Sequence, residues 1–300
     1  MKFLRDLFFK CRRDTSIRKG FNVCIVHPQN APHRGVFDEL AELINYSLID
    51  LGFSSEWGYN QVNRKKINIV IGMHLISDEM YKSIPKCSIF VNTEQMESVR
   101  VEWKEIILKI ARERRSIVDY SLKNIDYFNE RGVRDVRLFK FGYQPDLERI
   151  EQAKIQDIDV LFYGTMNPRR QKIIDAMRVE GLVVQTLYGV YGKERDDWIA
   201  RSKLVLNIHF YPSEILEVVR LFYLCINKVL VLTELNETTF VDDTLSSRVI
   251  GVPYKQLVER AVELCRDEDV RCQYRRRLFV DNSADAMRQL IHTREIVDGQ

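Results

Sequence analysis

The 300-residue sequence contains no apolar run approaching the roughly 18 residues that cross a bilayer as a helix. Its first residues, MKFLRDLFFKCRR, hold no apolar core long enough for a secretory leader. Neither a membrane-spanning nor an exported protein is expected. Glycine and proline are sparse, 13 and 7, which excludes collagen-like and wholly disordered chains. The six cysteines (Cys11, Cys24, Cys87, Cys225, Cys265 and Cys272) form no C-x-x-C pair, and three lie in apolar runs where a thiol behaves as a small hydrophobe. That usage fits free thiols in a reducing compartment, so a cytoplasmic protein is expected. Neither sign of charge prevails: 46 Lys and Arg against 43 Asp and Glu give +3, too balanced for a surface that tracks nucleic acid. The sequence also lacks G-x-G-x-x-G, G-x-x-x-x-G-K-[ST], H-E-x-x-H and G-x-S-x-G. Dinucleotide oxidoreductase, P-loop ATPase, zincin and hydrolase-elbow chemistry are each without their motif.

What basicity there is sits at the start. Residues 1–20 carry seven cations and two acids, and Phe3, Leu4, Leu7, Phe8 and Cys11 recur at helical spacing among them. This extension reads either as a helix packed on the body or as a basic amphipathic helix on an anionic membrane surface.

The remainder alternates between short apolar runs and helical periodicity. FNVCIV (21–26), INIVI (67–71), SIFV (88–91), Ser116–Val118 and Val136–Phe141 read as strands, with a helix of i, i+3, i+4 spacing from Val36 to Leu51 closed by Gly52. After a polar stretch, 145–157, a second series begins: IDVLFY (158–163), a helix from Pro168, Leu182–Leu187, LVLNI (204–208), a helix from about Glu214 to Ile226, Val229–Leu232, and helices onward from Tyr254. The pattern predicts two doubly wound α/β domains, 21–145 and 146–300, after the extension.

In parallel sheets ligands bind beyond the carboxyl ends of strands, so the polar residues that follow each run are the candidates. In the first half these are His27 and Asn30, His74, Asn92 to Gln95 with Glu94 among them, and Asp119 with Tyr120. In the second half they are Gly164, Thr165 and Asn167, then Tyr188 and Tyr191, then His209 and Tyr211. Gly164-Thr-Met-Asn-Pro-Arg-Arg170 joins a strand to a helix with Pro168 at the first helical position, so backbone N–H groups and two guanidinium forks, Arg169 and Arg170, suit a diphosphate. Glu214, Glu217 and Arg220 fall at helical spacing in an otherwise apolar helix, with Glu217 and Arg220 one turn apart. Arg271 and Arg275 to Arg277 read as a solvated or phosphate-binding helical face.

The runs DVLFYGTMNPRRQKII and LYGVYGKERDDWIARSKLVLNIHFYPSEILEVVRLFYLCINKVLVLTE resemble the donor-binding half of GT-B glycosyltransferases, nearest to bacterial glycosyltransferase-like proteins of polysaccharide gene clusters. IVIGMHL, SIFVNTEQME, VDYSLKNIDYF and LFKFGYQPD resemble the other half. The resemblance implies two Rossmann-like domains facing a central cleft, with a nucleotide-sugar donor mainly on the second and a glycan or lipid-linked acceptor on the first. It implies Gly164, Thr165, Asn167, Arg169 and Arg170 at the diphosphate, Tyr188 and Tyr191 at base or sugar, and His209, Glu217 and Arg220 at ribose and phosphates. Many such enzymes carry two glutamates separated by seven residues; here Glu214 and Glu217 are three apart and Phe222 holds the later position. Arginines and a helix N-terminus in place of a D-x-D site imply transfer without metal or other cofactor. For a base, Glu94 is favoured, with His27 and Asp119 as rivals. Arg169→Ala and Arg220→Ala are both expected to cost nucleotide affinity with little loss of folding. The competing reading is a GT-B scaffold that binds nucleotide or sugar without turnover.

Overall fold

The computed structural model describes residues 20–28, 32–114, 116–210, 215–237, 239, 241 and 243–278, without the side chains of 243–244 and 275–278. Residues 1–19, with the amphipathic stripe, lie outside this set, as do Asn30, Tyr211 and Glu214 and the side chains of Arg275 to Arg277. The chain divides between Gln144 and Pro145 into two compact units.

The first unit is built as β1 (Gly20–Ile25), α1 (Asp38–Asp50), β2 (Ser54–Tyr59), β3 (Ile67–Ile71), α2 (Asp78–Ser83), β4 (Ile89–Asn92), α3 (Val101–Arg114), β5 (Ile117–Asp119), α4 (Leu122–Glu130) and β6 (Val136–Leu138). All pairings are parallel, in the order β2-β1-β3-β4-β5-β6. β1, β3, β4 and β5 are buried along their whole length, as strands covered on both faces must be, which is why they read as continuous apolar runs. α1 ends where Gly52, at φ 83°, takes the left-handed conformation and the Phe53 N–H returns to Leu48 O. Phe90, Met96, Ile107, Ile110 and Phe128 pack together beneath the sheet.

The second unit runs β7 (Ile158–Tyr163), α5 (Pro168–Val179), β8 (Val184–Leu187), α6 (Gly192–Ala200), β9 (Ser202–Asn207), α7 (Val218–Ile226), β10 (Val231–Glu234), α8 (Asp243–Ser246), β11 (Ile250–Val252), α9 (Leu257–Arg266) and α10 (Glu268–Leu278). Its strands are also parallel, ordered β11-β10-β9-β7-β8. Two apolar layers hold it, one around Ile173, Met177, Leu206 and Leu264 and the other around Leu161, Val205, Leu221 and Val231.

Both sheets reverse direction beside their first strand. β1 is flanked by β2 and β3, and β7 by β8 and β9. The crevice at such a reversal is where doubly wound sheets accept ligands. Here it falls after Ile25 and Ile71 in the first unit, and after Tyr163 and Asn207 in the second.

Two expectations change. α7 begins at Val218, so Glu217 stands before the helix rather than inside it and does not stack on Arg220 as a helical pair. Arg271 is buried, and its guanidinium donates to the carbonyls of Leu264 and Cys265 at the end of α9. It ties two helices together instead of facing solvent. No helix among the described residues is long and apolar enough to cross a membrane.

Candidate functional site

The reversal point of the second sheet gathers eight of the ten residues expected to meet a donor. Asn167 caps α5 by accepting from the Arg170 N–H at 2.9 Å, and its amide donates to Phe210 O at 2.8 Å. Pro168 follows at the first helical position. Gly164 has φ 134°, and a Cβ there would meet Arg220 Nη2 at 2.8 Å, so only glycine lets the guanidinium lie against this turn.

The three arginines have different duties. Arg170 is buried, at 3% exposure, between the rings of Phe162 and Phe210. It donates through Nε (3.0 Å) and Nη2 (2.6 Å) to Ile208 O, and through Nη1 (2.7 Å) to Thr165 O. Burial, then the neighbouring Arg220 charge, pushes its pKa down to about 10. Arg169 grips both oxygens of Glu234, with Nη1 2.7 Å from Oε2, and lies over the Tyr254 ring. Nη1 also reaches His209 O at 3.3 Å. These two side chains are therefore struts that fix the end of β9. Arg220 is the less committed cation: among the described residues its guanidinium makes one long hydrogen bond, 3.3 Å to Asn207 Oδ1, and stacks on Tyr163.

Glu217 turns inward from the start of α7. Its Oε2 accepts from Asn207 Nδ2 at 2.9 Å and pairs with His209 Nδ1 at 3.0 Å. Burial opposes its ionisation, but His209 first, then Arg220 and Asn207, hold the carboxyl down at about 2. Burial likewise opposes a charge on His209, yet the Glu217 hydrogen bond and charge outweigh it and raise the imidazole above its ordinary value. His209 is fully buried, and its Nε2 has no hydrogen-bond partner among the described residues. Tyr188, well exposed, and Tyr191 lie beyond β8, next to β7.

Asn207, Thr233 and Glu234 were not anticipated. Thr233 Oγ1 accepts from Asn207 Nδ2 at 3.0 Å, and Glu234 Oε2 accepts the His209 N–H at 3.2 Å. The signal was present, since Asn207 falls within LVLNI and Glu234 ends VLVLTE, each polar at the carboxyl end of a buried strand.

In the first unit Glu94 and Asp119 come together in one polar knot, and they differ sharply. Asp119 has no exposure and accepts from Asn92 Nδ2 (2.6 Å), the Ser121 N–H (2.8 Å) and Asn124 Nδ2 (3.0 and 3.1 Å). Burial pushes its pKa up to about 7 against the pull of these donors. Asn92 and Asn124 in turn hold Glu94 O at 3.0 and 2.8 Å, and Asn124 Oδ1 accepts the Met96 N–H. Asp119 thus positions the loop, and Glu94, its side chain 23% exposed, is the carboxyl that solvent reaches. His74 Nε2 is 3.5 Å from Glu94 Oε1, with the imidazole tilted against the Trp103 ring and pushed down to about 4 by burial. His27 belongs to a different group: Asn60 holds its backbone N–H and carbonyl, and Tyr59 lies beside its ring.

Burial raises Glu94 to about 7, with the Thr93 hydroxyl pulling weakly the other way. A carboxyl whose folded value exceeds its unfolded one stabilises the fold below the ordinary carboxylate range and loses that contribution as pH rises through about 7. Asp119 acts in the same sense, and the buried His74, which resists protonation, in the opposite one. Urea unfolding of the first unit is therefore expected to show higher stability at pH 5 than at pH 8, and Glu94→Gln should reduce the difference without abolishing it. Among the described residues no group of three or more His, Cys, Asp and Glu is placed to hold a metal ion.

No family model matches the chain. One uncharacterized protein of Acanthamoeba polyphaga mimivirus is 34% identical over 128 residues, 40% of this chain and 40% of that protein. A second from the same virus is 26% identical over 218 residues, 68% of this chain and 23% of its own length. The chain thus spans less than half of these relatives. Among solved structures, Anabaena HepE in complex with UDP and glucose superposes with a TM-score of 0.56 at 10% identity, over 93% of this chain and 99% of that one. WaaG, a glycosyltransferase involved in lipopolysaccharide biosynthesis, gives 0.54 at 12% identity, over 93% and 100%. AviGT4, a glycosyltransferase involved in avilamycin A biosynthesis, gives 0.51 at 11%, over 90% and 96%. Two parallel sheets with flanking helices, in two units, give this chain the α/β architecture of the GT-B glycosyltransferases. At these identities the likeness is one of fold.

Proposed function

We propose that the protein is a glycosyltransferase that moves a sugar from a nucleotide-sugar donor to a glycan or lipid-linked acceptor. The observation that carries this reading is the reversal point of the second sheet. There a capped helix N-terminus, a glycine turn and the Arg220 guanidinium converge on one strand end. That combination suits a diphosphate. The fold likeness to HepE, whose structures hold UDP, supports the same ligand class. In this reading the backbone N–H groups after Gly164 and the Arg220 side chain take the diphosphate, and Arg169, Arg170 and Asn167 keep the strand end in place. Tyr188 and Tyr191 lie toward base or sugar. Cationic and N–H donors stabilise the departing diphosphate, the part a metal plays elsewhere.

As the bond from the anomeric carbon to the diphosphate oxygen breaks, its electron pair leaves on the diphosphate. The acceptor oxygen bonds to that carbon and gives up its proton to a base, for which Glu94 is the candidate carboxylate of the first unit. A carboxyl near 7 is suited to that exchange at neutral pH.

Incubation with a panel of nucleotide sugars is expected to release nucleoside diphosphate. Arg220→Ala is expected to weaken nucleotide binding by about 1.5–3 kcal/mol, the worth of a charged hydrogen bond, or roughly ten- to a hundredfold. Glu94→Gln is expected to lower turnover and leave donor affinity alone. Thermal stabilisation by nucleotides without any release would favour the non-catalytic scaffold, and an Arg220→Ala variant that binds as tightly as the parent would remove the donor site from this strand end.

A further inference from the structure

Glu217 has two cationic neighbours. His209 Nδ1 pairs with its Oε2, Asn207 Nδ2 donates to the same oxygen, and Asn207 Oδ1 accepts from Arg220 Nη1. The result is an unbroken polar chain, His209–Glu217–Asn207–Arg220. Because Nδ1 faces the carboxylate and keeps its proton, the proton that the ring gains or loses is the one at Nε2.

Among the described residues the charged groups around this imidazole come from three elements. From α5 come Arg169 and Arg170, the first in a bidentate pair with Glu234 and the second bonded to backbone carbonyls. From β10 comes Glu234, already matched by Arg169 and receiving the His209 N–H. From the start of α7 come Glu217 and Arg220. Among the described residues the carboxylate hydrogen-bonded to His209 is therefore Glu217. Its charge bears on Arg220, which the polar chain reaches, and more distantly on Arg170, whose donors are already spent on backbone carbonyls.

We propose that His209 sets how much of the Arg220 charge a bound diphosphate meets, acting through Glu217 and Asn207 without touching the ligand. With the imidazolium present, Glu217 is neutralised from the His209 side and the guanidinium is left to the ligand. When the ring loses its proton, Glu217 turns its charge on Arg220 and the site weakens. Diphosphate binding and proton uptake by His209 are then linked, each favouring the other. The Glu217 contact already holds the imidazole above its ordinary value, so the weakening falls on the alkaline side of the usual histidine range. This inference rests on the nucleotide-sugar reading of the same strand end.

The test is calorimetric titration of the full chain with UDP-glucose, whose diphosphate diester keeps a constant charge near neutrality. It is run from mildly acid to mildly alkaline pH in two buffers of different ionisation enthalpy. Affinity of the parent protein is expected to fall about tenfold across the interval, within the usual range of coupling between sites, with net proton uptake on binding. His209→Gln, which can still donate to Glu217 but cannot gain a proton, should bind with no such slope and no uptake. Glu217→Gln removes the shared charge and should flatten the profile too, which keeps the test decisive if His209→Gln fails to fold. Equal slopes in the parent and a folded variant would overturn the coupling and leave the nucleotide site standing. Absence of UDP-glucose and GDP-mannose binding by the parent at every pH would remove the nucleotide reading and the coupling together.

Discussion

Replacing Arg169 by alanine is expected to destabilise the second unit by about 3–5 kcal/mol, the usual cost of stranding one partner of a buried ion pair. Glu234 is only 2% exposed and both its oxygens are held by the Arg169 guanidinium. Without Arg169 the carboxylate keeps the His209 N–H and little else. The loss extends to the contact with the Tyr254 ring, which lies under the guanidinium; the Tyr254 hydroxyl keeps its bond to the main-chain carbonyl of residue 169. Thermal unfolding should register a fall of roughly 10–20 °C in midpoint, given the usual conversion for units of this size. Arg169→Lys, which keeps the charge and loses the fork, should fall between. The outcome that counts against this account is Arg169→Ala melting with the parent protein. The sequence alone suggested lost nucleotide affinity with folding intact for Arg169; that expectation stays with Arg220, whose single long hydrogen bond leaves little to strand.

The second large effect is expected at Asp119. Asp119→Ala leaves the Ser121 N–H, and one N–H each of the Asn92 and Asn124 amides that still reach Glu94 O, without an acceptor in a site with no solvent contact. At about 1–3 kcal/mol for each unsatisfied buried group, the first unit should lose roughly 3 kcal/mol or more. The damage is not confined to stability. Asn92 and Asn124 are the residues that hold the Glu94 carbonyl, so a protein still folded at low temperature should turn over more slowly, with donor affinity unchanged. Urea titration followed by rate measurements on the folded fraction separates the two. A variant as stable and as fast as the parent would show that the knot is ornamental. Asp119→Asn is the milder case, since one carbonyl oxygen can still serve Ser121 while its own amide opposes those of Asn92 and Asn124.

The fold was legible where burial is two-sided. INIVI and IDVLFY announce themselves because nearly all their residues are apolar, as helices on both faces of a sheet require, with Asn68 and Asp159 as the exceptions. β2, SSEWGY, did not, because it is an edge strand with alternate residues in water, and Ser, Glu and Gly are poor strand formers. β11 is three residues long, too short for any period to show. The site was legible as a set of positions, because polar residues at the carboxyl ends of buried strands have few structural reasons to be there. Their duties were not. Nothing in the spacing of Arg169, Arg170 and Arg220 tells which guanidinium is spent on Ile208 O and which stacks beside Gly164, since that follows from partners 38 and more residues away. Nor could spacing show that Glu217 leaves the helix and serves His209 and Asn207. Asp119 and Glu94 look alike in sequence, and only depth separates the anchor from the accessible acid.

The uniformly parallel pairing of both sheets carries a cost in assembly time. Among the described residues no hairpin seeds either sheet, so each strand waits for a crossover before it finds a neighbour, and such remote closures fold slowly. During synthesis the six strands of the first sheet are complete once residue 138 has left the ribosome, before β7 begins. The first sheet can therefore close before the second has emerged. The buried runs of β7, β9 and β10 emerge later and stay adhesive until β7 gains partners on both edges, which makes that interval the point at which a chaperone would matter most.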